Sequence, residues 1–385
     1  MRLGVAAAAA ALVAVLPGCK KRAPPRTVGL VLDVGGRGDQ SFNDGALRGL
    51  EIMAAGLRYT ARGYEPLAEA DYLRLLPADL RGKPLPHLGI PLPIVLQGKA
   101  QEDYEPNLQL LIDQGAELIV AVGFMMEPAT RAVAARNPKT KFLLIDSPVL
   151  DANGKPTILP NVRAVVFREH EGSFLAGALA GELTRTGRIG FIGGMQLPII
   201  RKFEVGFRAG IRAVNPGAAV LVAYTGSFDD ERKGMEVGQD LYRRGCDIVF
   251  HGAGLDGLGV IKAAQQAGKL VIGVDSDQAH VAPRNVLTSM VKHADLAVYE
   301  GVRDAVQGRF TGGDVVLGLS DGAMALAPIG GDVDPASSAA ALKDVQALHA
   351  AVVSGRLEVP ATLDELETFR PPDAASLGLA RAVAR

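Results

Sequence analysis

Two doubly wound α/β domains are the architecture that this 385-residue sequence predicts. Three observations lead there. Short runs rich in Val, Ile and Leu recur between longer amphipathic segments. The runs are continuous rather than alternating, as in parallel strands covered by helices on both faces. The βαβ series also occurs twice, which implies two sheets. A chain of this length is too long for one ordinary core.

The first series opens with a strand at Val28 to Leu32 and a helix over Asp44 to Gly56. It continues with a strand at Leu118 to Val122, a helix over Glu127 to Arg136 and a strand at Lys141 to Ile145 ending in Asp146. The second series begins at Ala164 to Val166, followed by a helix through Ala180. Strands at Arg188 to Ile192, Ala219 to Tyr224, Ile248 to His251 and Leu270 to Val274 then alternate with helices at Phe203 to Val214, Asp230 to Arg244 and Leu258 to Ala267. Tyr59 to Lys99 breaks the rhythm. Its Pro66, Pro77, Pro84, Pro86, Pro91 and Pro93 oppose a long helix or a central strand, so part of it reads as an inserted excursion. A Gly- and Asp-rich stretch at Gly330 to Ser338 precedes a helix over Ala339 to Ser354.

In doubly wound sheets the loops at the carboxyl ends of the strands line the ligand crevice. The unusual residues lie there: Asp33-Val34-Gly35-Gly36 through Asp39-Gln40-Ser41-Phe42-Asn43-Asp44, then Gly123-Phe124-Met125, Gly193-Gly194-Met195, Gly226-Ser227-Phe228, Gly252-Ala253-Gly254 and Asp275-Ser276-Asp277-Gln278. Glycines allow close backbone approach. Carboxylates and amides supply directed acceptors and donors, and phenylalanines supply flat apolar faces.

Arg2, the apolar run from Val5 to Leu16 and Leu16-Pro17-Gly18-Cys19 fit a signal peptide at 1–18 ending in a lipobox-like motif, with Cys19 as the lipidated residue. The run is too short to span a bilayer. Lys20, Lys21 and Arg22 with Pro24-Pro25 make 19–26 a tether. Net charge is −1, with 41 basic and 42 acidic side chains. That balance, with no basic block, argues against nucleic acid as partner. With Cys19 lipidated, Cys246 has no disulfide partner and reads as a small buried hydrophobe. The chain has no Trp and twelve Phe, so phenylalanine is the aromatic available for stacking.

Taken in order, these motifs resemble the basic membrane protein family, bacterial substrate-binding lipoproteins that include purine nucleoside receptors. The matching stretches are Asp33-Val34-Gly35-Gly36 with Asp39-x-Ser41-Phe42-Asn43, Asp103-Tyr104-Glu105-Pro106-Asn107, Val122-Gly123-Phe124 and Lys141-Phe142-x-x-Ile145-Asp146. They continue with Glu171-Gly172-Ser173-Phe174-Leu175-Ala176-Gly177, Phe203-Glu204-x-Gly206-Phe207, Gly226-Ser227-Phe228-x-Asp230, Gly273-Val274-Asp275-Ser276-Asp277-Gln278 and Leu287-Thr288-Ser289-Met290-x-Lys292. The resemblance implies a type I periplasmic-binding-protein fold: two Rossmann-like lobes joined by hinge strands. The expected first lobe is 27–163 plus 292–315, with 59–99 as the excursion, and the second is 164–291 plus 316–385. It also implies a nucleoside, usually a purine, held between the lobes, and an ABC transporter permease as partner.

Carried over residue by residue, Phe42 and Phe228 sandwich the base, and Asp33 and Asn43 meet its polar edge. Asp275, or Asp277 by the alternative register, binds the ribose hydroxyls with Lys292. Gly123, Phe124 and Gly252 belong to the binding loops. Where family members carry an acidic residue after the Gly-Phe motif, this chain reads Met126-Glu127-Pro128. Glu127 either substitutes from a neighbouring position or the contact is absent.

Each residue also has a plainer reading. Phe42 suits a staple over a helix start, with Ser41 or Asn43 as cap. Phe203 and Phe207, four apart, suit a core face. Lys292 could pair with Asp295 on a solvated face. Asp229-Asp230-Glu231 suits a helix N-terminus, and the scattered His170, His251 and His293 suit structural places.

Enzyme chemistry is not expected. Gly190-Phe191-Ile192-Gly193-Gly194 lacks the full dinucleotide fingerprint, and there is no P-loop or nucleophile elbow. Asp33, Asp39 and Asp44 are the nearest thing to a metal cluster, and their Gly-Gly and Phe-Asn neighbours fit stacking better. The expectation is therefore a monomeric binding lipoprotein with no cofactor, no metal and no catalytic residue. It would be lipid-anchored on the outer side of the cytoplasmic membrane or in the periplasm. A ligand-gated sensor signalling to a membrane partner, or a receptor for another small polar solute, is the alternative.

Overall fold

The computed structural model describes residues 27–53, 57–60, 62–66, 68 and 92–379. The expected signal peptide, Cys19 and the tether lie outside them, as does most of the Pro-rich stretch.

In chain order the first part holds β1 (Val28–Leu32), α1 (Phe42–Met53), β2 (Leu57–Thr60), β3 (Gly63–Pro66), β4 (Ile94–Gln97), α2 (Tyr104–Asp113), β5 (Leu118–Val122), α3 (Glu127–Arg136), β6 (Lys141–Ile145) and β7 (Val162–Phe167). The middle holds α4 (Glu169–Leu183), β8 (Arg188–Gly193), α5 (Pro198–Val214), β9 (Ala219–Tyr224), α6 (Glu231–Arg243), β10 (Ile248–Gly252), α7 (Asp256–Ala267), β11 (Leu270–Asp275) and β12 (Val286–Lys292). Then come α8 (Ala294–Val306), β13 (Gly313–Leu317), β14 (Met324–Leu326) and α9 (Pro335–Val353).

Two six-stranded sheets result, ordered β13-β7-β6-β5-β1-β4 and β14-β12-β11-β10-β8-β9. All pairings are parallel except β14 against β12. The continuous apolar runs predicted this: every residue of β1, β5 and β10 is buried. Successive side chains enter different layers. Leu30 and Leu32 join one apolar cluster while Val31 joins another, and Phe250 and Val249 divide likewise.

The chain passes between the sheets three times: after β7, after β12 and after β13. The first crossing differs from the expected lobe boundary. The strand at Ala164 to Val166 belongs to the first sheet and does not open the second, because Val162–Phe167 pairs with both β6 and β13. Leu317 pairs with Phe167, so the ladder runs to the last residue before each hinge, and the boundaries fall a few residues beyond 163 and 315. Part of the expected excursion is also sheet. β4 pairs in parallel with β1 as an edge strand, and Pro93 just before it costs no central hydrogen bond. β2 and β3 form a separate antiparallel hairpin.

Helices α4 and α5 pack against each other across glycines. A Cβ at Gly177 would meet the Phe207 carbonyl, one at Gly206 the His170 carbonyl, and one at Gly210 the Phe174 carbonyl. Among the described residues no helix is long and apolar enough to cross a membrane.

Candidate ligand-binding cleft

The carboxyl ends of both sheets face one another across a cavity of about 520 Å³, its mouth included. The first lobe contributes Asp33, Phe42, Asn43, Phe124 and Asp146 to its wall. The second contributes Phe203, Phe228, Gly252 and Asp275, and Lys292 lies where β12 ends at a hinge.

The loop after β1 is built by its own polar groups. Asp39, 1 % exposed, accepts the amides of Ser41 (2.9 Å) and Asn43 (2.8 Å) and so caps the start of α1. The cap is therefore Asp39, and Ser41 and Asn43 are free for other partners. Asn43 Nδ2 donates to Asp33 Oδ1 at 2.7 Å, and the Asp33 amide donates back to Asn43 Oδ1 at 3.2 Å. Burial pushes the Asp33 carboxyl up to about 6, against the lowering effect of the Asn43 and Gly35 hydrogen bonds. Burial, then the nearby Asp44, pushes Asp39 up to about 7.

Lys292 does not meet Asp295 on a solvated face. It is 3 % exposed, and its Nζ donates to Asp146 Oδ1 at 2.8 Å, with Asp275 Oδ1 at 3.8 Å and Glu169 Oε1 at 3.9 Å. Burial works against the ammonium, but Asp146, Asp275 and Glu169 together overcome it and hold its pKa above the ordinary lysine value. Asp295 instead lies 3.6 Å from Arg48 and 3.1 Å from His293. Asp146 and Asp275 occupy matching places at the ends of β6 and β11. Both adopt left-handed backbone, with φ of 82° and 63°. Such conformations cost about 1–3 kcal/mol and persist where the surroundings impose them. Burial raises the Asp275 pKa, opposed by Lys292. Its Oδ1 is buried without a hydrogen-bond partner among the described residues.

The aromatic residues surround the opening from both sides. Lys292 Nζ stands 4.6 Å from the Phe42 ring centroid. Phe124 and Phe228, from opposite lobes, meet edge to face with centroids 6.1 Å apart at 71°. The loop carrying Phe228 is held by Asp256, which accepts the Ser227 hydroxyl at 2.7 Å and the Asp230 amide at 2.6 Å. Asp230 caps α6, as the acidic run suggested.

Three of the residues singled out in the sequence stand apart from the wall. Glu127 is turned to Arg131 Nε and the Leu150 amide, both at 3.0 Å. Asp277 is exposed and accepts the Ala279 amide at 3.0 Å. Gly123 lies behind Asp33, where a Cβ would come within 2.7 Å of Oδ2. In return the cavity includes Asp146, visible in the sequence only as the end of a strand motif, and Phe203, which is both core and wall. The signal that could have found Asp146 is its equivalence to Asp275, each standing at the end of the last apolar run of its series. Cys246 is buried, and burial pushes its thiol up to about 11. No group of His, Cys, Asp or Glu among the described residues is arranged to hold a metal.

Residues 26–362 match the family model of the PnrA-like ABC transporter substrate-binding proteins, Bmp. The ABC transporter nucleoside-binding protein BmpA of Lactococcus lactis subsp. cremoris is 30% identical over 392 aligned positions, covering 93% of this chain and 98% of that protein. The CD4+ T-cell-stimulating antigen of Listeria monocytogenes is 30% identical over 353, covering 87% and 88%. A crystal structure of an ABC transporter system solute-binding protein from Aeropyrum pernix K1 superposes with a TM-score of 0.72 at 25% identity, covering 92% of this chain and 99% of that one. With two largely parallel sheets meeting at one cleft, this chain belongs to the Bmp family of ABC transporter substrate-binding proteins, which bind their solutes and are not enzymes.

Proposed function

We propose that this protein is a lipid-anchored receptor that captures a nucleoside, preferentially a purine nucleoside, outside the cytoplasmic membrane and presents it to an ABC permease. The observation that carries the reading is a cavity walled by both lobes in which aromatic residues share the wall with Asp275, whose buried Oδ1 has no hydrogen-bond partner among the described residues. Phe42 and Phe228 offer a base one face each, and stacking on an aromatic ring contributes roughly 1–3 kcal/mol per base. Stacking tolerates any base, so selectivity falls to Asp33 and Asn43 at its edge. Asp275, with Lys292 and Asp146 behind it, suits the vicinal hydroxyls of a ribose.

Closure of the lobes on the ligand gives the form a permease can distinguish. Lipid on Cys19 keeps the receptor near that permease and raises its effective concentration. A relative at 30% identity bears a nucleoside-binding name, which supports the same reading.

The test is calorimetric titration of the full-length protein with adenosine, guanosine, inosine, uridine and ribose. Tight one-to-one binding of purine nucleosides, with uridine weaker and ribose weakest, is expected. Folded protein that binds none of them overturns the nucleoside reading. Incorporation of a labelled fatty acid, lost in Cys19→Ala, tests the anchor.

A further inference from the structure

Ser41 contributes nothing to the cavity wall, yet its fully buried side chain crosses from one lobe to the other. Its Oγ lies 2.9 Å from Asp275 Oδ2 and 3.2 Å from the Val274 carbonyl oxygen. A hydroxyl has one proton to give, and a carboxylate is the stronger acceptor, so the proton belongs to Asp275.

Ser41 is fixed from behind. Its amide donates to Asp39 Oδ1, and its carbonyl accepts the Ser276 hydroxyl at 2.8 Å. Arg48 Nη2 in turn donates to Ser276 Oγ at 3.0 Å. One place along the chain, Gln278 Nε2 donates to the Gln40 carbonyl at 3.2 Å. The first lobe's loop and the second lobe's loop are thus clasped by side chains of both.

The consequence falls on Asp275. Ser41 occupies its Oδ2, the backbone is in the left-handed region, and Oδ1 is left buried with no hydrogen-bond partner among the described residues, its ion-pair contact with Lys292 being a long 3.8 Å. Without Ser41 the second oxygen would also be unsatisfied. The carboxylate would then be free to rotate and close the 3.8 Å gap to the Lys292 ammonium, which would use up Oδ1. We propose that Ser41 is a positioning residue for ligand hydroxyls: by tying Asp275 Oδ2 across the cleft it presents Oδ1 to the solute, and only when the lobes are together. The choice of probe rests on the nucleoside reading; the contact itself does not.

The experiment compares wild type, Ser41→Ala and Ser41→Thr in the full-length protein, titrated with adenosine and with 2′,3′-dideoxyadenosine. Loss of a hydrogen bond to a charged group predicts that Ser41→Ala weakens adenosine binding about tenfold or more but the dideoxy analogue less than about threefold. Ser41→Thr keeps the hydroxyl and restores adenosine affinity. An equal loss for both ligands, or no loss for either, overturns the proposal.

A second arm needs no ligand: the pH titration of the Asp275 carboxyl carbon by NMR. Burial raises that carboxyl, while Lys292, the Ser41 bond and Arg48 lower it and Asp146 raises it. Removing Ser41 therefore moves the midpoint up, and an unmoved midpoint overturns the contact. If wild type binds no nucleoside, the nucleoside reading falls and this titration alone decides Ser41.

Discussion

Asp33 combines a raised pKa with a place on the cavity wall. Burial raises its pKa to about 6, above its value in an unfolded chain. The folded state therefore holds the proton more tightly, and the stability from this group is present at low pH and lost as pH rises through 6. A base edge that donates N–H groups needs the ionised form, so affinity runs the other way. Nucleoside affinity should fall as pH drops from 7 to 5, and Asp33→Asn should abolish that pH dependence in calorimetric titrations. Flat wild-type affinity over this range would remove Asp33 from the base edge. At the aromatic residues, Phe42→Ala and Phe228→Ala should each weaken binding by roughly 1–3 kcal/mol, read as the ratio of dissociation constants. Phe42 also lies under the Lys292 ammonium, so its loss should in addition lower the melting temperature, which Phe228→Ala should change less.

At the level of elements, one tight joint is the α4–α5 crossing, where backbone meets backbone at Gly177, Gly206 and Gly210. Gly210→Ala should destabilise the protein by about 1–3 kcal/mol or more, the usual range for overpacking, measured by denaturant unfolding. Asp256 holds the Phe228 loop without lining the cavity, so Asp256→Ala should weaken nucleoside binding chiefly through faster dissociation. Stopped-flow rates would show it, and unchanged rates would detach this loop from the site. How legible these elements are in the sequence follows from burial. β1, β5 and β10 are covered on both faces and announce themselves as apolar runs. β13 is largely exposed at a sheet edge, and β14 has three residues, so neither leaves a periodic signal. β4 hides behind Pro91 and Pro93, although an edge strand tolerates proline just before it. The site divides in the same way. Loops with unusual residues at strand ends marked the region, and the family resemblance singled out Asp33, Phe42, Asn43, Phe228 and Asp275 within it. The partner of Lys292 was not legible, because Asp146 lies far away in sequence and only the fold brings the two to 2.8 Å.

For the molecule as a whole, a ligand held by both lobes stabilises only the assembled form. At a free concentration one hundred times Kd, binding should add about 2.7 kcal/mol to stability. Melting temperature should then rise with purine nucleosides and stay level with ribose at the same concentration; a rise of equal size with both would argue against base recognition. The same wiring has a consequence for how the chain comes to be folded. β13 is the last strand of the first sheet, yet the entire second sheet except β14 lies between it and its neighbour β7 in sequence. A chain emerging from its N-terminus therefore presents the bare edge of Val162–Phe167 to its surroundings throughout production of the middle third. An open, apolar strand edge invites wrong partners. Neither half can finish early, and the two are completed almost together, within the few residues that separate Leu317 from Leu326.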